Sequence, residues 1–204
     1  MISDQYTMIE FLYNINNLKN LNSIFYHGIL SHNLMKEKQI DHCDISNQSV
    51  QDIRDNKIIP GGKKLHDYAN LYIDARNPMM YTEVCNRDID KLCVICVDKR
   101  VLDLEDTIVT DQNAATNFAS FMTPDEGVKL LNFDAIRARY WTNLNPLIQK
   151  RLRQIKCAEV LVLNRIPVEY LIKIKVATKI AYNEVCSYNL NVPVEIDLDI
   201  FFKY

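Results

Sequence analysis

Glycine is scarce in this chain, with four among 204 residues. Loops that cradle phosphates on backbone N–H groups are built from glycine, and neither G-x-G-x-x-G nor G-x-x-x-x-G-K-[ST] occurs, so a Rossmann or P-loop nucleotide site is not supported. A phosphate here must be met by Arg, Lys or a helix N-terminus. The four histidines, His27, His32, His42 and His66, form neither H-E-x-x-H nor His-x-His, which argues against a metal hydrolase. Cys93 and Cys96 make one C-x-x-C with no second pair, inside an apolar run where free cysteine packs as a small hydrophobe, so no metal site is expected. The six cysteines also lack the short regular spacings of a disulfide scaffold, and a reducing cytoplasm suits them. No window reaches the apolar length of a membrane span, and the opening "MISDQYTMIEF" carries two acids and no signal-peptide core, so a soluble protein without a membrane is expected. Internal repeats and low-complexity tracts are absent.

What is present is enough apolar sequence, 48% of 204 residues, to close one sizeable core, so residues 1–204 read as one domain. Lys and Arg total 24 against 26 Asp and Glu, a balance that neither supports nor excludes a nucleic-acid partner. "IEFLYNI" reads as a strand and "LKNLNSIFYHGIL" as a short helix stopped by Gly28. Ser31 to Lys64 is polar and ends in Pro-Gly-Gly, which predicts a long loop with at most one helical turn around Ser49–Arg54. "YANLYID", "KLCVICVDKRVLDL", "DTIVTDQNAA" and "AEVLVL" read as strands, and "VPVEIDLDIFF" as a last strand with apolar residues on one alternation and acids on the other. "RNPMMYTEVC", "TPDEGVKLL", "NFDAIRARYW" and "NPLIQKRLRQIK" read as turns leading into helices or as partly helical, and "RIPVEYLIKIKVATKIAYNEVCSYN" as strand then helix. The fold class is α+β, with mixed or antiparallel sheets.

Glu159 stands out, a single carboxylate opening the strand "AEVLVL". A buried carboxylate is costly unless it is paired or employed. Near cations it suits a catalytic acid, base or cation stabiliser; pairing with Lys156 or Arg165 at a strand end explains it equally well. In "GGKKLHDYANLYIDARNPMMY" a tight turn precedes a strand carrying His66, Tyr68, Asn70 and Tyr72, and then an Arg76-Asn77-Pro78 corner; core aromatics and an ordinary turn account for the same pattern. Arg137, Arg139, Lys150, Arg151, Arg153 and Lys156, with Tyr140 and Trp141 among them, form the one local basic region. Cations following phosphates and an aromatic stacking on a base would suit a single strand, and a solvated amphipathic helix with Trp141 half buried would look the same.

Taken together, "LYNINNLKNLNSIFYHGILSHN", "SVQDIRDNKIIPGG", "LHDYANLYIDARNPMMY", "VLDLEDTIVTDQNAA" and "KCAEVLV", in this order and spacing, resemble the DarT-type ADP-ribosyltransferases, toxins of bacterial toxin-antitoxin pairs. The resemblance runs nearly the full chain and implies an ADP-ribosyltransferase-like fold of split mixed or antiparallel β-sheets with flanking helices. It implies NAD as co-substrate, no metal, single-stranded DNA as acceptor and a macrodomain antitoxin as partner. The form "LHDYANLYIDARNPM" is more like the guanine-modifying branch than the thymine-modifying one. By position, the family's catalytic glutamate maps to Glu159, and the loop before it to Ala135 through Lys156. The essential arginine maps to Arg54, which would hold the pyrophosphate. Tyr13, Asn14, His66, Tyr68, Asn70 and Asn113 map to the NAD site, and Arg137, Arg139, Tyr140, Trp141, Arg151 and Arg153 to the DNA side. Family members often carry histidine where this chain has Asn14; an amide can hydrogen-bond a ribose hydroxyl but cannot become charged. The alternatives that share this NAD chemistry are a thymine, RNA or protein acceptor, and beyond them stands a catalytically silent nucleic-acid-binding module that kept the fold.

Overall fold

A computed structural model describes residues 6–43, 45 and 48–203. Among the described residues ten strands are formed: β1 Phe11–Asn17, β2 Ile29–Leu30, β3 Tyr68–Tyr72, β4 Leu92–Asp98, β5 Ile108–Thr110, β6 Phe121–Met122, β7 Glu159–Leu163, β8 Arg165–Ile166, β9 Leu171–Val176 and β10 Val194–Ile196. Eight of them make one sheet in the order β10-β9-β4-β1-β3-β7-β5-β6, and β2 pairs with β8 beside it. All neighbours in the large sheet are antiparallel except β10 and β9, so the sheet is mixed.

The centre of the sheet positions the site. β1 pairs with β4 along its whole length, but with β3 only at Tyr13 opposite Tyr72. Two four-stranded halves are therefore joined through one residue pair, and the second half of β1 diverges from the first half of β3. This is the expected split. β4, "LCVICVD", is buried on both faces from Leu92 to Val97, as an inner strand covered on both sides must be. Its alternation sends Cys93, Ile95 and Val97 into the main core with Leu12, Leu71, Val160 and Ile174, while Leu92 and Val94 join Ile15, Tyr72, Met80 and Phe201 on the other face.

The helices are α1 Leu21–His27, α2 His32–Glu37, α3 Gln48–Asn56, α4 Pro78–Asn86, α5 Pro124–Leu130, α6 Phe133–Arg137, α7 Pro146–Ile155 and α8 Lys179–Ser187. Several start on a side chain that accepts an otherwise orphaned N–H: Ser31 from Leu34, Asn77 from Met79 and Met80, Asn132 from Ala135, Asn145 from Leu147 and Thr178 from Ala181. Proline follows the cap in α4 and α7, where its missing N–H matters least. Gly28 ends α1 at φ 86°, and a Cβ there would lie 2.2 Å from the Ile166 carbonyl oxygen, so only glycine permits β2 to meet β8.

Three expectations are corrected. The polar stretch 31–64 holds two helices, α2 and α3, rather than a loop with one helical turn; capping by Ser31 and the single buried Arg54 stand in for the apolar stripe that periodicity looks for. "VPVEIDLDIFF" pairs only over Val194–Ile196, because β10 is an edge strand with β9 as its one neighbour, and the chain then turns so that Phe201 enters the core. His66 lies in a 3-10 turn, Leu65–Asp67, before β3 rather than on it. No helix among the described residues is long and apolar enough to cross a membrane.

Candidate active site

Glu159 opens β7 directly opposite Tyr72 of β3, and is wholly buried. Neither Lys156 nor Arg165 neutralises it. Arg54, 105 residues earlier on α3 and itself buried, places Nη1 3.0 Å from Oε2 and 3.2 Å from Oε1. The Ala114 backbone N–H donates to Oε1 at 2.9 Å. The strand is locked at the same point, since Glu159 N–H donates to Thr110 Oγ1 at 3.1 Å, and that hydroxyl donates to the Gln112 carbonyl at 2.7 Å. Burial, and next the Glu159 carboxylate, hold the Tyr72 hydroxyl well above the ordinary tyrosine range. A buried carboxylate with one cation and one N–H is steadied in position by its partners.

The elements that supply these groups are tied together by Lys57, at the end of α3. Its Nζ donates to the Ala114 carbonyl at 2.6 Å and to the Thr116 carbonyl. Burial, with Arg54 nearby, lowers its pKa below the ordinary value. The residue after Arg54's helix thus grips the turn that presents Ala114 N–H.

Two cavities meet here. A small one, about 160 Å³, opens where β1 and β3 diverge, and Asn14, Asn16, Asn20, His66, Tyr68 and Asn70 are on its wall. A larger one, about 910 Å³, lies between α3, α4, α7 and the 113–118 turn, within the size range of small-molecule sites. Gln51, Arg54 and Asn70 line both. Glu159 lines neither, because Arg54 stands in front of its carboxylate. In the small cavity the asparagines form a ladder: Asn20 Nδ2 donates to Asn16 Oδ1 at 2.7 Å, and Asn16 Nδ2 to Asn14 Oδ1 at 3.0 Å. His66 meets Gln51 Oε1 through Nε2 at 2.8 Å and Asp55 Oδ1 through Nδ1 at 3.3 Å, with His32 stacked on it at 4.4 Å. Burial, followed by the His32 ring, holds the His66 pKa below the ordinary 6.5. Cys157 borders the large cavity, but burial pushes its thiol up to about 12, which removes it as a nucleophile.

The sequence profile of the family described as "ssDNA thymidine ADP-ribosyltransferase, DarT" matches residues 13–202. The chain belongs to the DarT family. It is 28% identical over 195 residues to a DNA ADP-ribosyl transferase-DNA ADP-ribosyl glycohydrolase fusion protein of Thermosipho africanus, covering 94% of this chain and 49% of that protein. A DNA ADP-ribosyl transferase of Thermus aquaticus is 29% identical over 183 residues, covering 85% and 78% of the two chains. Among solved structures, Thermosipho africanus DarTG in complex with ADP-ribose superposes with a TM-score of 0.84 at 26% identity, over 96% of this chain and 52% of that one. Thermus sp. 2.9 DarT in complex with ADP-ribosylated ssDNA gives 0.81 at 23%, over 97% of each chain.

Of the residues expected at this DarT-family site, the structure gathers Asn14, His66, Tyr68 and Asn70 on the small cavity, Asn113 on the large one and Arg54 between them. Tyr13 falls on neither; strand alternation turns it to the opposite face from Asn14, against the second core cluster. The basic run is not one array. Arg153 lines the large cavity, with Lys150 beside it one helical turn away, whereas Arg151 points elsewhere on α7. Arg137 is held by the Met8 carbonyl and stacks on Phe133, and Arg139 pairs with Asp199 at 3.0 Å. Tyr140 is exposed, while Trp141 is half buried in an edge-to-face trio with Tyr81 and Phe202. Of the Arg-Asn-Pro corner, Asn77 caps α4, and Arg76 donates to the Arg139 carbonyl at 2.6 Å.

Sequence reading missed Asn16, Asn20, Gln51, Lys57 and the Ala114 N–H. Asn14, Asn16 and Asn20 of "NINNLKN", at two- and four-residue spacing, were the available signal. A backbone N–H has none.

Proposed function

We propose that this protein transfers ADP-ribose from NAD to a base of single-stranded DNA and releases nicotinamide, residues 1–204 acting as one ADP-ribosyltransferase domain. The observation that carries the reading is the Arg54–Glu159 pair at the junction of two cavities, in a chain of the DarT family. The names of its relatives support it: Thermus proteins called DNA ADP-ribosyl transferase, and Thermus sp. 2.9 DarT in complex with NAD+. The chain spans about half the length of the Thermosipho fusion protein, whose name adds a DNA ADP-ribosyl glycohydrolase. A macrodomain antitoxin that removes the modification is the partner we propose, and a reducing cytoplasm suits six free cysteines.

Breaking the bond between nicotinamide and its ribose develops positive charge on the sugar, so the protein needs a fixed anion more than a nucleophile. Glu159 supplies it. At rest the carboxylate lies behind Arg54. When Arg54 turns its guanidinium to the pyrophosphate it exchanges one anionic partner for another, and Glu159, still held by the Ala114 N–H, faces the nicotinamide ribose. As the base nitrogen forms its bond to the ribose carbon, its proton passes to the carboxylate. Asn14, His66, Tyr68 and Asn70 offer amide, ring and hydroxyl groups to the dinucleotide on the small cavity, and Asn113 does so on the large one.

The acceptor we propose is guanine, on the strength of the run "LHDYANLYIDARNPM"; thymidine, named in the family description, is the second reading. The test is incubation with NAD and four single-stranded oligonucleotides, each lacking one base, followed by intact-mass analysis. A gain of one ADP-ribose that vanishes only without guanine is expected. Loss that follows thymine overturns the base assignment, and no modified oligonucleotide overturns the DNA reading.

A further inference from the structure

Phe118 is 83% exposed, yet it is not on a wandering loop. Its carbonyl accepts from Nε2 of buried Gln112 at 2.6 Å, Ser120 N–H donates to Asp111 Oδ1 at 2.9 Å just beyond it, and Thr116 N–H donates to the Asn113 carbonyl at 3.0 Å just before it. Lys57 grips the same turn through the Ala114 and Thr116 carbonyls. The backbone is pinned on all sides while the ring stands out, four residues after the alanine whose N–H holds Glu159. An isolated exposed phenylalanine needs no explanation. This one lines the large cavity with Arg54, and α7 contributes Gln149, Lys150 and Arg153 to the wall of the same cavity.

An aromatic face sharing a groove with cations that suit a phosphate backbone is how single strands are held without reading sequence. The dinucleotide has rings of its own to place, but the small cavity already offers His32, His66 and Tyr68 for them. Tyr72, another aromatic on the large cavity, is buried and carries no free face. We propose that Phe118 is a stacking platform for a base of the acceptor strand, and that it sets affinity for the strand rather than the choice of base. This rests on the proposed function above.

The test is steady-state transfer and fluorescence-anisotropy binding with a labelled single-stranded oligonucleotide of mixed sequence, comparing wild type with Phe118→Ala, Phe118→Leu and Phe118→Trp. Stacking on a base is expected to make KM and Kd for the oligonucleotide rise roughly tenfold or more in the alanine and leucine variants. Tryptophan is expected to restore both, with its emission changing as the strand binds, and the base preference is expected to stay that of wild type. Leucine behaving as wild type would reduce the ring to apolar bulk and overturn the platform, as would a rise that falls on the KM for NAD or no rise at all. Absence of transfer by wild type would instead defeat the DNA reading, and the platform with it.

Discussion

Replacing Arg54 with methionine is the sharpest probe of the site, because the structure makes the pair structural as well as chemical. The Arg54 side chain is 8% exposed and that of Glu159 0%, with 3.0 Å between Nη1 and Oε2. Removing the cation leaves Glu159 buried with the Ala114 N–H as its remaining side-chain hydrogen bond among the described residues. Breaking a buried pair from one side costs about 3–5 kcal/mol. For a chain of this size each kcal/mol moves Tm by about 2–4 °C, so Arg54→Met should melt roughly 6–20 °C below wild type. The paired replacement Arg54→Met with Glu159→Leu removes both charges, and buried pairs replaced by apolar groups lose little stability, so most of that drop should return. Glu159→Gln keeps an oxygen for the Ala114 N–H and should fall between them. All three should lose transfer activity. Thermal unfolding followed by circular dichroism reads the series. Should Arg54→Met melt within about 2 °C of wild type, or the double variant melt lower than the single, the pair is not the buried contact described here and the exchange of Arg54 between carboxylate and pyrophosphate loses its basis.

Lys57→Met takes the donor from the Ala114 and Thr116 carbonyls and frees the turn that holds Glu159. Small misplacements at a reacting centre can cost about a hundredfold, so kcat should fall by roughly ten- to a hundredfold, with a smaller change in KM for NAD. Lys57→Arg should recover part of it, and equal losses in both variants would refute the tether. His66 gives a pH dependence. Its folded-state pKa lies below 6.5 through burial and the stacked His32, with Asp55, Gln51 and Arg54 facing it, so the folded state binds its proton less tightly than the unfolded chain. The sign is then fixed: its contribution is fully present above pH 6.5 and is lost as pH falls through the lower folded value. Tm measured from about pH 5 to about pH 8 should fall more gently on the acid side in His66→Gln than in wild type, and superimposable profiles would exclude this origin.

The parts of this protein that show in its sequence are those whose stability comes from apolar pattern. β1, β3, β4 and β7 are legible because alternating or continuous apolar residues have one place to go. α3 is not, since "QSVQDIRDN" buries only its arginine and leaves no stripe to detect. At the site, the resemblance pointed to Arg54 and Glu159 as separate residues with separate tasks. That they meet across 105 residues is a product of topology, and no local pattern encodes it. The Ala114 N–H and the lysine that steadies it act on or through the backbone, so side-chain identity at 114 and 116 reveals nothing of their part. Trp141 was open between a base-stacking and a packing role; the Tyr81–Trp141–Phe202 trio, drawn from three distant segments, places it in packing contacts.

Lys156 is almost entirely buried and donates to the Ile136 and Ala138 carbonyls at 2.7 Å each and to Asp74 at 3.1 Å, while Arg76 takes the next carbonyl, that of Arg139. The entrance to the segment 140–149 is thus fastened by its main chain, and a carbonyl grip is indifferent to the side chain it carries. Substitutions at the exposed Tyr140, Thr142 and Leu144 leave the fastening intact, so these positions have a mutational freedom that Trp141, packed on Tyr81 and Phe202, and Asn145, which caps α7, lack. If the proposed transfer holds, a library randomised at Tyr140, Thr142 and Leu144, over fixed Asp74, Arg76 and Lys156, is expected to shift acceptor preference while leaving the surroundings of Glu159 unchanged.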